Sequence, residues 1–267
     1  MYERYYGLSE KPFGLTPDTE FFYQSFTHQQ ALNVLLVAIR SGDGFIKVTG
    51  EVGTGKTLLC RKLLEALEAE FDTVYIPNPY MNSCALLDAV LAEMGIAERL
   101  ESNSHLACIT DYLLDNARRN RATVIILDEA QALPEECLEA IRLLSNLETG
   151  KRKLVQIVLF GQPELDVRLA QSNIRQLRQR IMHAYQLQPL NQASVRSYLQ
   201  HRIKSAGYRG PELFDHGALR RVQKFSQGIP RVINVLCNKA MMLAYASGEF
   251  YVTRKHIEAA AADSQLQ

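Results

Sequence analysis

Residues 45–57 read Phe45-Ile46-Lys47-Val48-Thr49-Gly50-Glu51-Val52-Gly53-Thr54-Gly55-Lys56-Thr57. The first five are mostly apolar or β-branched and predict a strand, and the apolar spacing beyond Lys56 predicts a helix over 56–70. Between them lies a complete Gly-x-x-x-x-Gly-Lys-Thr pattern, in the strand-to-helix context that gives it meaning. Glycines there let consecutive backbone N–H groups of Gly50, Glu51, Val52, Gly53, Thr54, Gly55 and the Lys56-Thr57-Leu58 helix start turn toward an anion. The positive end of the helix adds its dipole. In such a loop Lys56 reaches the β and γ phosphates of a nucleotide and the Thr57 hydroxyl takes a place on Mg²⁺.

The neighbouring sequence repeats the alternation. Thr73–Ile76, Val124–Leu127, Leu154–Phe160 and His183–Leu187 have strand character. Helical periodicity occupies 28–41, 83–94, 104–119, 135–147 and, for the most part, 164–180. Short apolar strands separated by helices cannot pair as hairpins, so they imply right-handed crossovers and a mainly parallel sheet covered on both faces. After Pro189 the strands stop. Helical segments at 191–206, 215–226, 230–246 and 253–263 are separated by Gly207, Gly210-Pro211, Gly228 and Gly248, with Asn191, Asp215 and Thr253 as expected N-caps. The expected organisation is an α/β core over 1–189 and an all-helical domain over 190–267. Residues 1–27, rich in aromatics and turn residues, are expected to be an irregular lead-in packed on the domain behind them.

Composition narrows the function. The chain has 267 residues, with 30 Lys plus Arg against 29 Asp plus Glu, a net charge of +1 and 47% hydrophobic residues. No global field draws it to nucleic acid or anionic lipid, so any basic surface is local. Five widely spaced cysteines without a Cys-x-x-Cys pair suggest neither a disulfide framework nor a zinc site, and they read as reduced, mostly core thiols. The six histidines are scattered without ligand spacing. The longest apolar stretches fall well short of the roughly 18 residues of a membrane span, and the N-terminus carries no apolar export segment.

Further residues carry chemistry. Val124–Leu127 runs into Asp128-Glu129, and a buried parallel strand delivers its last residues to the carboxyl edge where ligands bind. Asp128 there faces Mg²⁺, usually through water, and Glu129 can act as general base toward an attacking water. Gln162, after the Leu154–Phe160 strand, is placed to approach a γ-phosphate. Arg175, Arg178 and Arg180 cluster near a helix end, either complementing its dipole or donating a finger to a neighbouring subunit. Arg231 follows Gly228-Ile229-Pro230 at a helix start, where Pro fits the first turn.

Taken in order, GEVGTGKT, VIILDEA, VLFGQPEL, LRQRI and GIPRVINVLCNKA, followed by a helical tail, resemble the AAA+ ATPases. More narrowly, they resemble the ExeA/GspA group of secretion ATPases and its MshM relatives of mannose-sensitive hemagglutinin (MSHA) pilus biogenesis. The Tyr5-Tyr6-Gly7-Leu8 opening and His28 to Ala31 share in the likeness, which covers about 1–262. The resemblance implies a 5-1-4-3-2 sheet with a helical lid ending near 262 and the nucleotide between them. It makes Lys56 and Thr57 Walker A, Asp128 and Glu129 Walker B, Gln162 sensor 1 and Arg231 sensor 2. The finger falls to Arg180 or Arg178, with Arg175 beside them. Gln162 departs from the Asn, Ser or Thr commoner at sensor 1. Asn78 occupies a place where related ATPases couple partner binding to the glutamate.

The resemblance further implies a Mg²⁺-dependent ATPase that self-assembles into a nucleotide-dependent oligomer or ring. It would power or regulate assembly of a type IV pilus or type II secretion machine with inner-membrane partner proteins. Longer relatives continue into a membrane segment and a periplasmic peptidoglycan-binding region, so these residues are expected to hold the ATPase module, cytoplasmic and attached to the membrane only through a partner. Two other readings share the core and lid: a DNA-bound regulator of transposition-helper or origin-recognition type, disfavoured by the net charge, and a nucleotide-dependent switch with little turnover.

Overall fold

The structure is a computed structural model and describes residues 2–96, 104–149 and 153–264. In chain order the elements are α1 (Tyr2–Tyr6), α2 (Phe26–Ser41), β1 (Phe45–Gly50), α3 (Lys56–Leu67), β2 (Phe71–Ile76), α4 (Ser83–Glu93), α5 (His105–Arg118) and β3 (Ala122–Leu127). There follow α6 (Glu135–Leu144), β4 (Val155–Gly161), α7 (Glu164–Leu169), α8 (Arg175–Arg178) and β5 (Ile181–Leu187). Four helices close the chain: α9 (Gln192–Ser205), α10 (His216–Ser226), α11 (Pro230–Ala246) and α12 (Arg254–Asp263). The chain divides into two compact units, Gln29–Gly50 with Leu59–Leu187, and Met1–His28 with Glu51–Leu58 and Gln188–Gln267.

The first unit is α/β. Its five strands are all parallel in the order β2-β3-β4-β1-β5, the expected order read from the other edge. Burial on both faces explains why β3 is apolar from Val124 to Leu127. Val124 and Ile126 enter one buried layer with Leu35 and Ile39 of α2 and Leu59 and Leu63 of α3. Ile125 and Leu127 enter the opposite layer with Leu86 and Val90 of α4 and Ile109 of α5. A strand buried on both faces has no polar positions to spare, and each such side chain contributes about 1.5–3 kcal/mol on burial. The edge strand β5 alternates half-buried and exposed residues instead.

The expected helix over 164–180 is interrupted. Residues between α7 and α8 form a 3₁₀ turn at Ser172–Ile174, where Ser172 and Asn173 have side chains that compete with the backbone for helical hydrogen bonds. The helix expected over 135–147 ends at Leu144, and the Ser145 hydroxyl donates to the Arg142 carbonyl at 2.6 Å.

The second unit is helical. Asn191 and Asp215 accept at 2.9 and 2.6 Å from the N–H groups of Ser194 and Ala218, as N-caps should, and the Thr253 N–H donates to His256 Nδ1 at 3.1 Å. Pro230 occupies the first turn of α11. The lead-in joins this unit rather than the α/β unit it precedes in sequence. It also contains a short helix, α1, where an irregular segment is expected. Tyr2, Tyr6, Phe13 and Phe21 are buried in one cluster with Leu199, Leu236 and Ile257. Arg202, 5% exposed, ties the segment down by donating to the Pro12 carbonyl at 2.6 Å and stacking 4.6 Å from the Phe21 ring centroid. Among the described residues no helix is long and apolar enough to cross a membrane.

Candidate functional site

The candidate residues fall into two groups, one in each unit. In the helical unit, residues 51–58 form the turn that enters α3. Gly53 and Gly55 have φ of 82° and 97°, a region side chains rarely tolerate. The Glu51 carbonyl accepts from the Thr54 N–H at 3.2 Å, the Thr54 hydroxyl at 2.8 Å and Lys56 Nζ at 3.1 Å. Lys56 is only 5% exposed, so its ammonium is held inside the loop.

Both glycines are also required by their neighbours. A Cβ on Gly53 would lie 2.5 Å from the Cβ of Arg231, whose N–H donates to the Gly53 carbonyl at 3.2 Å. The first turn of α11 therefore rests directly on the loop, and the Arg231 side chain, exposed, starts from that contact. A Cβ on Gly55 would lie 2.9 Å from His28 Nε2.

His28 is a residue that the scattered-histidine reading passes over. Its ring is buried, with Nε2 3.0 Å from the Thr54 carbonyl and Nδ1 2.6 Å from Ser25 Oγ. A carbonyl only accepts, so Nε2 carries the proton and Nδ1 accepts from the serine. Burial lowers the pKa of His28, with the Thr54 bond opposing it, and the ring is a neutral brace on the loop. The only signal in the sequence is the lead-in resemblance, because 26 residues separate His28 from Thr54.

In the α/β unit, Asp128 follows β3 and is 2% exposed. Its N–H donates to the Ile76 carbonyl at 3.0 Å and its Oδ1 accepts from the Glu129 N–H at 2.9 Å. Burial first, then the Asp128 charge, pushes the Cys60 thiol far above its ordinary range, so this cysteine stays protonated. A buried carboxylate and, in the loop, the Thr57 hydroxyl are hard oxygen donors of the kind Mg²⁺ prefers, and the donor chemistry fits that ion.

Glu129 has φ 53° and ψ 37°, left-handed for a residue that bears a side chain, at a cost of roughly 1–2 kcal/mol. Its Oε2 accepts from Gln131 Nε2 at 2.5 Å and from Gln162 Nε2 at 3.0 Å. Thus Gln162 and Glu129, 33 residues apart in the chain, are joined by a hydrogen bond. Gln131, absent from the sequence reading, joins them.

The Asn78 side chain accepts from the Tyr80 N–H at 3.4 Å, while the side chains that hydrogen-bond the Glu129 carboxylate are those of Gln131 and Gln162. Arg175 and Arg178 are exposed and Arg180 half-buried, and among the described residues none of the three makes an ion pair. None of the five cysteines forms a disulfide; four are buried and Cys84 is exposed. Cys84, Asp88 and His105 bring a thiol sulfur, a carboxylate oxygen and an imidazole nitrogen within 4.8 Å of one another across α4 and α5, with His105 Nε2 2.8 Å from Asp88 Oδ1.

A parallel five-stranded sheet in this order, a P-loop after β1, acids after β3 and a helical unit after β5 define the P-loop AAA+ class of proteins. Residues 39–169 match the model of an AAA domain family. The chain is related to General secretion pathway protein A of Aeromonas hydrophila, 41% identical over 263 residues. That match covers 98% of this chain and 48% of the relative, so the chain spans about half of the relative's length.

Solved structures agree on the fold. The ORC2 protein of Aeropyrum pernix, described as ADPNP-ADP complexes, superposes with a TM-score of 0.66 at 17% identity over 96% of this chain and 71% of that one. Cdc6p of Pyrobaculum aerophilum gives 0.68 at 17% over 92% and 71%. The RuvB Holliday junction branch migration motor of Thermotoga maritima gives 0.60 at 14% over 91% and 72%.

Proposed function

We propose that the protein binds ATP with Mg²⁺ at Gly50–Leu58 and hydrolyses it, with Glu129 as the general base. The observation that carries this reading is Glu129 itself: a left-handed residue directly after the Asp128 strand end, with its carboxylate held by two side-chain amides. Strain kept at one acidic residue is characteristic of a functional position. Lys56 would neutralise the β and γ phosphates, Thr57 and Asp128 would hold the ion, partly through water, and Gln162 and Arg231 would sense the γ-phosphate. Bound Mg²⁺ would supply charge neutralisation on the transferred phosphate. In-line attack by water then needs positioning and electrostatics more than covalent chemistry.

The test is hydrolysis by the purified protein and its loss in Glu129→Gln with ATP binding retained. Retained binding with no turnover in the wild type would mark a nucleotide-dependent switch instead.

The biological setting proposed is the assembly of a secretion or pilus machine, of type II or MSHA-like type IV kind, with inner-membrane partner proteins. The likeness to General secretion pathway protein A over nearly the whole chain supports it. The ORC2 protein and the RuvB branch migration motor resemble the chain at the level of fold alone, so a DNA-bound role rests on no comparable likeness. Deleting the gene should reduce surface pili or secreted protein without altering DNA replication or transposition.

Activity is proposed to depend on self-association through Arg180 or Arg178. Mixing Arg180→Ala or Arg178→Ala with the Lys56→Ala variant should restore some turnover. No rescue from either would remove the finger acting between subunits.

A further inference from the structure

The Gln131 amide joins two places. Its Oε1 accepts from the Gln162 N–H at 3.0 Å, which fixes the orientation of the amide, and its Nε2 is thereby directed to Glu129 Oε2 at 2.5 Å. The Gln131 carbonyl in turn accepts from Arg168 Nη1, holding the 3₁₀ turn Ala130–Ala132 against α7. Gly161 leaves room for the arrangement: a Cβ there would lie 2.7 Å from Leu165 Cδ2 and 3.3 Å from Gln131 Oε1.

The consequence falls on Glu129. Two amide donors share Oε2, whereas among the described residues no hydrogen bond to Oε1 is formed. A carboxylate oxygen already taking two donors has little lone-pair capacity left for a third. Proton acceptance from water is therefore directed to the other oxygen.

We propose that Gln131 is a positioning residue of the hydrolytic centre, pinning Glu129 Oε2 so that Oε1 is the oxygen presented to the attacking water. This rests on the reading of Glu129 as general base. During the step Oε1 would take the proton as the water oxygen bonds to the γ-phosphorus and the bridging oxygen departs with ADP; Gln131 itself exchanges no proton.

Steady-state ATP hydrolysis and nucleotide binding of Gln131→Leu, Gln131→Glu, Gln162→Leu and the double Leu variant test this, with thermal melting as a check on folding. Misplacing a catalytic group by about an ångström costs on the order of a hundredfold. Gln131→Leu is expected to lower kcat by about ten- to a hundredfold, with KM for ATP and nucleotide affinity unchanged. Gln131→Glu keeps the shape and can still accept from the Gln162 N–H, but it faces Glu129 with a carboxylate in place of the donor. Its kcat should fall at least as far. Because Gln131 and Gln162 act on one oxygen, the double Leu variant should lose less than the product of the single losses.

Activity preserved in Gln131→Glu but lost in Gln131→Leu would reduce Gln131 to a space-filling role and overturn the proposal, as would unchanged turnover in Gln131→Leu or independent losses in the double variant. Wild-type protein that does not hydrolyse ATP would instead overturn the Glu129 reading beneath it.

Discussion

The glycine-rich loop before α3 and the acidic turn after β3 solve the problem of holding functional groups in opposite ways. The loop presents backbone groups, and its shape comes from two glycines at positive φ. The acidic turn presents a side chain, and its shape comes from a strained glutamate and two glutamines that arrive from different elements. Backbone anion binding needs a local run of conformationally permissive residues, whereas orienting a carboxylate needs donors from outside the turn. One device is written in consecutive residues and the other is assembled by the fold.

The comparison is sharpest where each device loses its functional group. Lys56→Ala should abolish detectable Mg-ATP binding in a fluorescent-nucleotide titration; native affinity in that variant would refute the assignment of the loop. Glu129→Gln should leave the affinity within a fewfold and lower turnover by about 10²–10⁴, the usual contribution of a general base. If both variants failed in binding, the two regions would not be separable as binder and catalyst.

A smaller effect is expected where the loop's shape is disturbed. Gly53→Ala places a Cβ at φ 82° and 2.5 Å from the Arg231 Cβ. It should cost roughly 1–3 kcal/mol, read as a lower thermal midpoint and weaker nucleotide binding. An alanine tolerated without loss would mean that α11 yields easily to the loop.

The smallest concerns the brace on the loop. Burial holds the pKa of His28 below its ordinary value of 6.5, and burial lowers that of His201 as well. As the pH falls, the unfolded chain takes up these protons first, so their share of stability is full above about pH 6.5 and declines progressively below it. Melting midpoints should fall between about pH 7.5 and about pH 5.5, and His28→Phe should flatten part of that slope. An unchanged slope would assign the pH dependence to other groups.

Legibility in the sequence follows the same division. Strand positions were readable because β3 and β4 are buried on both faces and so carry the apolar runs Val124–Leu127 and Ile157–Phe160. The break between α7 and α8 was not, because a helical apolar period continues past Ser172 and Asn173 while the backbone does not. The home of the lead-in was equally hidden: Tyr6 and Phe13 are plainly core residues, but only the packing tells which core, and Arg202, some 190 residues away, anchors them.

By itself the sequence determined the parallel α/β core, the helical unit and the glycine-rich turn from Gly50 to Leu58, since these rest on local periodicity and on glycine placement, while the strand order followed from the family resemblance and is a property of the fold. Only the tertiary structure decided that His28 braces the loop, that Arg231 begins against Gly53, and that Gln131 and Gln162 meet on one oxygen of Glu129. Those contacts join residues that are distant in the chain or, for Gln131, folded back by a single left-handed residue. Hydrogen-bond partnership of that kind leaves no periodic trace.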